Sequence, residues 1–165
     1  MIINPKKIDL KILSAPKMID LGNTIGKLAY PQMVIALNGD LGAGKTTLTK
    51  GIGQALGVSN TINSPTFTIM KVYSCHHQTI KNLYHLDVYR TQGSKSDFDL
   101  EEYFYLDGLT VIEWADIIDD LLPYDVISID IMIIDENTRQ VVIQSHHQNF
   151  MNKLIHQLEE GKKDA

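Results

Sequence analysis

Apolar residues recur along this chain with two different spacings, and the change from one spacing to the other predicts its helices and strands. Apolar positions from Met18 to Leu28 share one face at helical spacing, which predicts a helix over 15–29. Further helices are predicted at 46–56, 99–105, 115–122 and about 150–160, and strands at 7–13, 34–38, 67–73, 83–89, 109–112, 126–134 and 140–144. The polar, glycine-containing segment 91–97 is the best candidate for a flexible connection.

The order of these elements indicates a fold class. Strands alternate with helices in the first half, whereas the strands at 67–73 and 83–89 are separated by a short polar stretch typical of a hairpin. This combination predicts a three-layer α/β protein with a central sheet of mixed parallel and antiparallel strands. The length of 165 residues predicts a single domain over 1–165. In such a fold, a ligand is expected at the carboxyl ends of the parallel strands.

Residues Gly39 to Thr46 match the phosphate-binding pattern G-x-x-x-x-G-K-[ST] at every fixed position. A predicted strand precedes this phosphate loop and a predicted helix follows it, which is the context that the pattern requires. Glycines let successive N–H groups form an anion nest, while Lys45 is expected on the β and γ phosphates and the Thr46 hydroxyl on Mg²⁺. The sequence therefore predicts a P-loop NTPase fold whose ligand is a nucleoside triphosphate with Mg²⁺. The residues predicted to hold it are Asp40, Leu41, Gly42, Ala43, Gly44, Lys45, Thr46 and Thr47.

Two acidic residues end apolar segments of strand character. Asp87 follows 83–86, and Glu113 follows 109–112. Carboxylates in this position beside a phosphate loop hold Mg²⁺ directly or through water, so both residues are predicted to belong to a metal site. A salt-bridged turn residue is the alternative for Asp87, and a helix N-terminal charge is the alternative for Glu113. Trp114 comes next, and the residues alone favour a packing role for it over a ligand contact.

Composition narrows the functional class. The net charge of −5 provides no global basic field, so the sequence does not predict autonomous binding to DNA or RNA. One cysteine, Cys75, cannot form an internal disulfide, and no segment has the pattern of a secretion signal or a membrane span, so a cytoplasmic protein is expected. Arg90 and Arg139 are the only arginines, which disfavours the arginine-bearing lid of small-molecule kinases.

Four motifs taken together support a more specific resemblance. They are the phosphate loop at 39–47, then Ser64 to Phe67, His85 to Arg90 and Ile112 to Ala115. With these motifs the chain resembles the bacterial TsaE (YjeE-type) ATPases, which are required for threonylcarbamoyladenosine modification of tRNA. The resemblance extends from about residue 22 to residue 134, and residues 140–165 match no motif of that family.

The resemblance implies an activity, cofactors and partners. The expected activity is Mg²⁺-dependent hydrolysis of the β–γ phosphoanhydride of ATP, slow in the isolated chain and stimulated by a TsaB–TsaD-type heterodimer through which tRNA is met indirectly. Catalytic roles are implied for Lys45, Asp87, Glu113 and Thr66. Thr66 corresponds to a residue of a switch-type loop near the γ phosphate or the metal, and Asp87 and Glu113 to the acids of the metal site. The resemblance also implies that Trp114 lies near the nucleotide.

Two other functions are compatible with the sequence. Asp87 beside Arg90 can be interpreted as a substrate-deprotonating carboxylate next to a phosphate-clamping cation, which would suit a small-molecule kinase. Alternatively, the chain is a non-catalytic module in which bound nucleotide controls the assembly of partners. A substrate screen tests the first alternative, and pathway function in a non-hydrolysing Asp87→Asn variant tests the second.

Overall fold

A seven-stranded mixed sheet forms the centre of the protein in a computed structural model that describes residues 4–65, 70–89, 102 and 107–163. Its strands are β1 (Lys6–Ile12), β2 (Val34–Asn38), β3 (Met70–Ser74), β4 (Asn82–Asp87), β5 (Gly108–Glu113), β6 (Ile127–Ile133) and β7 (Arg139–Ser145). They lie in the order β1-β7-β6-β2-β5-β4-β3. The four central strands β6, β2, β5 and β4 run parallel, whereas β7, β1 and β3 pair antiparallel at the edges.

Helices cover both faces of this sheet. In the described part of the chain they are α1 (Ala15–Lys27), α2 (Lys45–Ala55), a 3-10 helix (Ala115–Leu121) and α3 (Gln148–Lys163). Ile35 and Leu37 of β2 belong to the core beneath the α-helices, while the alternate residues Val34 and Ala36 belong to a smaller core beneath the 3-10 helix. Strand β2 is therefore apolar on both faces, as the centre of a three-layer sheet requires.

Helices α1 and α2 approach each other closely through glycine residues. A Cβ atom at Gly22 would lie 2.1 Å from the Leu48 carbonyl oxygen, and one at Gly51 would lie 2.1 Å from the Ile19 carbonyl oxygen. Neither position has room for a side chain, so the two backbones meet directly. This contact holds α2, and with it the end of the phosphate loop, in a fixed place above the sheet.

The mixed α/β fold expected from the sequence is confirmed, and differences concern the ends and types of elements. Strands β3 and β4 form the predicted antiparallel hairpin. The segment predicted as a helix over 115–122 is a 3-10 helix interrupted at Ile118, where φ is −118° and ψ is 32°. The C-terminal helix extends beyond the predicted residues 150–160 at both ends. The prediction was too short because the polar residues at these ends carry no apolar periodicity. The predicted helix at 99–105, apart from residue 102, and the segment 91–97 lie outside the described residues.

Candidate functional site

The loop at 39–44 connects β2 to α2 and takes a conformation that its glycines permit. Gly42 and Gly44 have φ angles of 82° and 116°, in the left-handed region that favours glycine. Gly39 meets a different demand, because a Cβ atom there would lie 2.7 Å from the Ile131 carbonyl oxygen of β6. The loop is thereby seated against β6, and α2 begins immediately after it. A helix N-terminus in this position favours an anion.

A cavity of about 510 Å³ opens beside the loop, at the carboxyl ends of β4 and β5. It is lined by Leu41, Gly42, Gly44, Lys45, Thr46, Thr47, Ser64, Asp87, Tyr89, Glu113 and Trp114. Two residues predicted to hold the nucleotide are not in this lining: Asp40 is exposed, and the Ala43 side chain is buried in the core. Thr66 lies outside the described residues, so its role stays a prediction.

Lys45 is buried in the wall of this cavity. Its Nζ donates to the Gly39 carbonyl oxygen at 2.5 Å and lies 3.7 Å from the centroid of the Trp114 ring, within the range of a cation–π contact. Burial lowers the pKa of Lys45, and the nearby Glu113 and Asp87 carboxylates oppose that shift. Because the ammonium has lost much of its hydration, an anion entering the cavity would stabilise its charged form.

Asp87 and Glu113 end adjacent parallel strands and stand opposite each other in register. Their exposed fractions are only 5% and 3%. Asp87 Oδ1 accepts a hydrogen bond from the Tyr89 N–H at 3.0 Å, and Glu113 Oε2 accepts one from the Thr46 hydroxyl at 3.3 Å. Burial raises the pKa of Asp87, although the bond from Tyr89 and the charge of Lys45 act in the other direction. The structure thus brings the loop hydroxyl and both acidic strand ends to one place.

His85 joins this cluster, although the sequence placed it only at the start of the motif at 85–90 and predicted no role for its side chain. Its side chain is fully buried, and its Nε2 lies 2.5 Å from Glu113 Oε2. A carboxylate oxygen can only accept, so Nε2 carries the hydrogen of this bond. His85 precedes Asp87 by two residues on β4, which places both side chains on one face of the strand. That i, i+2 spacing was the signal available in the sequence.

Trp114 stands at the junction of β5 and the 3-10 helix with a left-handed backbone, at a φ angle of 62°. Its N–H donates to the Leu37 carbonyl oxygen of β2 at 3.0 Å, which holds this conformation. Its ring contacts Lys45 on one side and Tyr89 on another, with ring centroids 5.0 Å apart in the aromatic pair. The residues alone favoured a packing role, whereas the structure places the ring in the cavity wall.

The donor atoms at this site fit a hard divalent cation. The Thr46 hydroxyl and the carboxylates of Asp87 and Glu113 offer oxygen, and Mg²⁺ sites commonly combine one or two carboxylates with phosphate oxygens and water. Across the described residues, no group of three or more His, Cys, Asp and Glu side chains could hold a metal ion. A Mg²⁺ ion held here would complete its coordination with water and phosphate oxygens.

Comparison with known proteins assigns this chain to a family. The family described as threonylcarbamoyl adenosine biosynthesis protein TsaE matches residues 12–141. The chain belongs to the TsaE family. The tRNA threonylcarbamoyladenosine biosynthesis protein TsaE of Bacillus subtilis is 43% identical over 68% of this chain and 70% of its own length. The protein of the same name from Treponema pallidum is 36% identical over 74% of this chain and 89% of its own length.

A solved structure extends the likeness to the C-terminal helix. The crystal structure of Bacillus subtilis YdiB matches with a TM-score of 0.78 and 30% sequence identity, covering 98% of this chain and 99% of that one. The TsaE family match reaches β7 at residue 141, beyond the limit near residue 134 that the motifs suggested.

In the ranges that the structure describes, no helix is long and apolar enough to cross a membrane.

Proposed function

We propose that this TsaE-family protein binds ATP with Mg²⁺ in the cavity beside the phosphate loop and hydrolyses the β–γ phosphoanhydride, in the cytoplasm, during tRNA threonylcarbamoyladenosine biosynthesis. The observation that carries the proposal is the meeting of Thr46 with Asp87 and Glu113. A loop hydroxyl lies 3.3 Å from one buried carboxylate, and a second carboxylate stands beside that one in register. P-loop enzymes hold their metal ion with a loop hydroxyl and an acidic strand end in this way.

Phosphate binding is assigned to the loop and to Lys45. Backbone N–H groups near Gly42 and Gly44 and the N-terminus of α2 supply fixed partial positive charge. Lys45 Nζ would exchange the Gly39 carbonyl oxygen and the face of the Trp114 ring for phosphate oxygens. This exchange is favourable because burial lowers the pKa of Lys45 and a phosphate would compensate for the lost hydration.

Thr46, Asp87 and Glu113 would hold the metal ion directly or through water. When bound, Mg²⁺ would neutralise charge that develops on the phosphate oxygens. Water attacks the γ phosphorus, the bond between that phosphorus and the bridging oxygen breaks, and the products are ADP and phosphate. Asp87 is a candidate for orienting this water, because its carboxylate ends β4 and lines the cavity beside the residues proposed to hold the phosphates. Thr66 is the other candidate.

We also propose that turnover is slow in the isolated chain and is stimulated by a TsaB–TsaD-type heterodimer, through which tRNA is met indirectly. Among the described residues, the lining of the cavity contains no arginine. A cation supplied in trans raises the rates of GTPases by about 10³–10⁵-fold, and a partner could act similarly here. The net charge of −5 also argues against direct capture of tRNA by this chain alone.

Hydrolysis of ATP by the purified chain, with and without the heterodimer and Mg²⁺, tests this function. We expect slow turnover alone, strong stimulation by the heterodimer, and loss of activity in Lys45→Ala. Asp87→Asn should bind ATP without hydrolysing it. Asp119→Asn, which changes an exposed carboxylate of the 3-10 helix, is the matched control and should behave as wild type.

The outcomes separate the alternatives. If the wild-type chain does not bind ATP, the proposed function is wrong. If full turnover occurs in the isolated chain and the heterodimer changes nothing, partner dependence is wrong. Transfer of phosphate to an added nucleoside or sugar would identify a kinase, and pathway function in the non-hydrolysing Asp87→Asn variant would identify an assembly module.

A further inference from the structure

Arg139 reaches the phosphate loop from outside the cavity. It is the first residue of β7 and is half-buried. Its Nε donates to the Ala43 carbonyl oxygen at 2.9 Å, and its Nη2 donates to the Gly42 carbonyl oxygen at 3.2 Å. Nη1 donates to the Asp135 carbonyl oxygen at 2.8 Å. One guanidinium group therefore joins the turn between β6 and β7 to two successive peptide groups of the loop.

The turn that carries Arg139 has an ordered backbone of its own. Asp135 Oδ1 accepts hydrogen bonds from the N–H groups of Asn137 at 3.0 Å and Thr138 at 2.8 Å. Ile133 on β6 pairs in register with Arg139 on β7. The position of the guanidinium group is thus set by the sheet and by the turn, independently of any ligand.

The carbonyl group of Ala43 matters because of the N–H group at the other end of the same peptide. In a trans peptide the C=O and N–H bonds point in opposite directions. Gly44 borders both the cavity and a smaller pocket that Arg139 lines on the other side of the loop. Since Arg139 holds the Ala43 carbonyl oxygen, the Gly44 N–H points away from Arg139 and toward the cavity. A cationic donor on the carbonyl oxygen also polarises the peptide and strengthens its N–H as a donor.

We propose that Arg139 is a positioning residue for phosphate binding, which holds the peptide between Ala43 and Gly44 with its N–H directed at the cavity. This inference rests on the proposed nucleotide site. The loop needs such support because glycines such as Gly42 and Gly44 have the largest backbone freedom, which phosphate binding would otherwise have to restrict. Support from behind the loop raises affinity by preorganisation, without contact between Arg139 and the ligand.

Two substitutions of Arg139 and one control test the inference. Arg139→Gln removes the charge and the planar fork, whereas Arg139→Lys keeps the charge and loses the fork. By isothermal titration calorimetry, we expect the Kd for MgATP to rise about tenfold in Arg139→Gln and roughly threefold in Arg139→Lys. The KM for ATP should rise with little change in kcat, because the N–H of this peptide would bind the phosphates equally in the ground state and in the transition state. Ile143→Val removes one buried methylene from β7, so it should lower the melting temperature and leave the Kd unchanged.

A wild-type Kd in folded Arg139→Gln would overturn the inference. An equal loss of affinity in Ile143→Val would also overturn it, because general destabilisation would then explain the effect. If Arg139→Gln does not fold, Arg139→Lys decides, and an unchanged Kd there would overturn the inference. Failure of the wild-type chain to bind MgATP would instead overturn the proposed function, so the two failures are distinguishable.

Discussion

His85 donates from Nε2 to Glu113 Oε2 at 2.5 Å, across the boundary between β4 and β5. The same oxygen accepts the Thr46 hydroxyl at 3.3 Å, so a buried imidazole and a loop hydroxyl converge on one carboxylate. Among the described residues, the buried Nδ1 of His85 has no hydrogen-bond partner. Glu113 is therefore the hydrogen-bond partner of the imidazole among the described residues, and this bond fixes the direction in which the carboxylate faces the cavity.

If Glu113 holds Mg²⁺ as proposed, replacing His85 with Ala should raise the Mg²⁺ concentration needed for half-maximal ATP hydrolysis by about 10–100-fold, because a residue that orients this carboxylate is removed. Glu113 would lose its short hydrogen bond and its fixed orientation. A Mg²⁺ titration of the heterodimer-stimulated activity measures the effect. His85→Gln, whose amide can donate, should retain part of the activity, and His156→Ala on the exposed face of α3 should match wild type. An unchanged titration in His85→Ala would contradict this role.

Trp114 should report nucleotide binding through its fluorescence. It is the one tryptophan of the chain, and Lys45 Nζ lies 3.7 Å from its ring centroid. Phosphate would draw the ammonium away from the indole and change its electrostatic surroundings, so MgATP should produce a saturable change in emission. Mg²⁺ alone should not, and Lys45→Met should lose the response. A flat titration at concentrations where calorimetry detects ATP binding would show that Lys45 does not move.

A matched pair of glycine substitutions should have opposite effects on stability. Gly51→Ala places a Cβ atom 2.1 Å from the Ile19 carbonyl oxygen, so it should lower the free energy of unfolding by about 1–3 kcal/mol or more despite the better helix propensity of Ala. Gly161→Ala in α3 meets no atom within 4 Å and should raise it by about 0.5–1 kcal/mol. Urea denaturation measures both. Equal effects of the two substitutions would contradict the close contact between α1 and α2.

Cys75 should react slowly while the protein is folded. Burial raises the pKa of the Cys75 thiol from 9.0 to about 11, so its thiolate fraction at pH 8 should be about 100-fold lower than in the unfolded chain. From pH 9 to 11 the folded thiol keeps a proton that the unfolded thiol loses, so its contribution to stability falls as the pH rises. Iodoacetamide labelling followed by mass spectrometry, with and without urea, checks this. Equal labelling rates would contradict the burial.

Features that depend on neighbours in the chain could be predicted from the sequence. The predicted strand at 34–38 is the observed β2, because an apolar run is bounded by its own composition. Glycine and lysine spacing predicted the phosphate loop, and the ends of apolar runs pointed to Asp87 and Glu113. Where the periodicity was short, at 115–122, the sequence predicted a helix and the structure has an interrupted 3-10 helix. Thr66 lies outside the described residues, so its role stays a prediction.

Within the described residues, the sequence by itself determined where the seven strands and the three α-helices lie, which of their faces are apolar, and which loop matches the phosphate-binding pattern. Only the tertiary structure decided the strand order, the pairing of His85 with Glu113, and the support of Ala43 by Arg139. His85 and Glu113 are 28 residues apart in the chain, and Ala43 and Arg139 are 96 residues apart. Periodicity reports that a face is buried but not what lies against it, because distant hydrogen-bond partners meet only when the sheet is assembled.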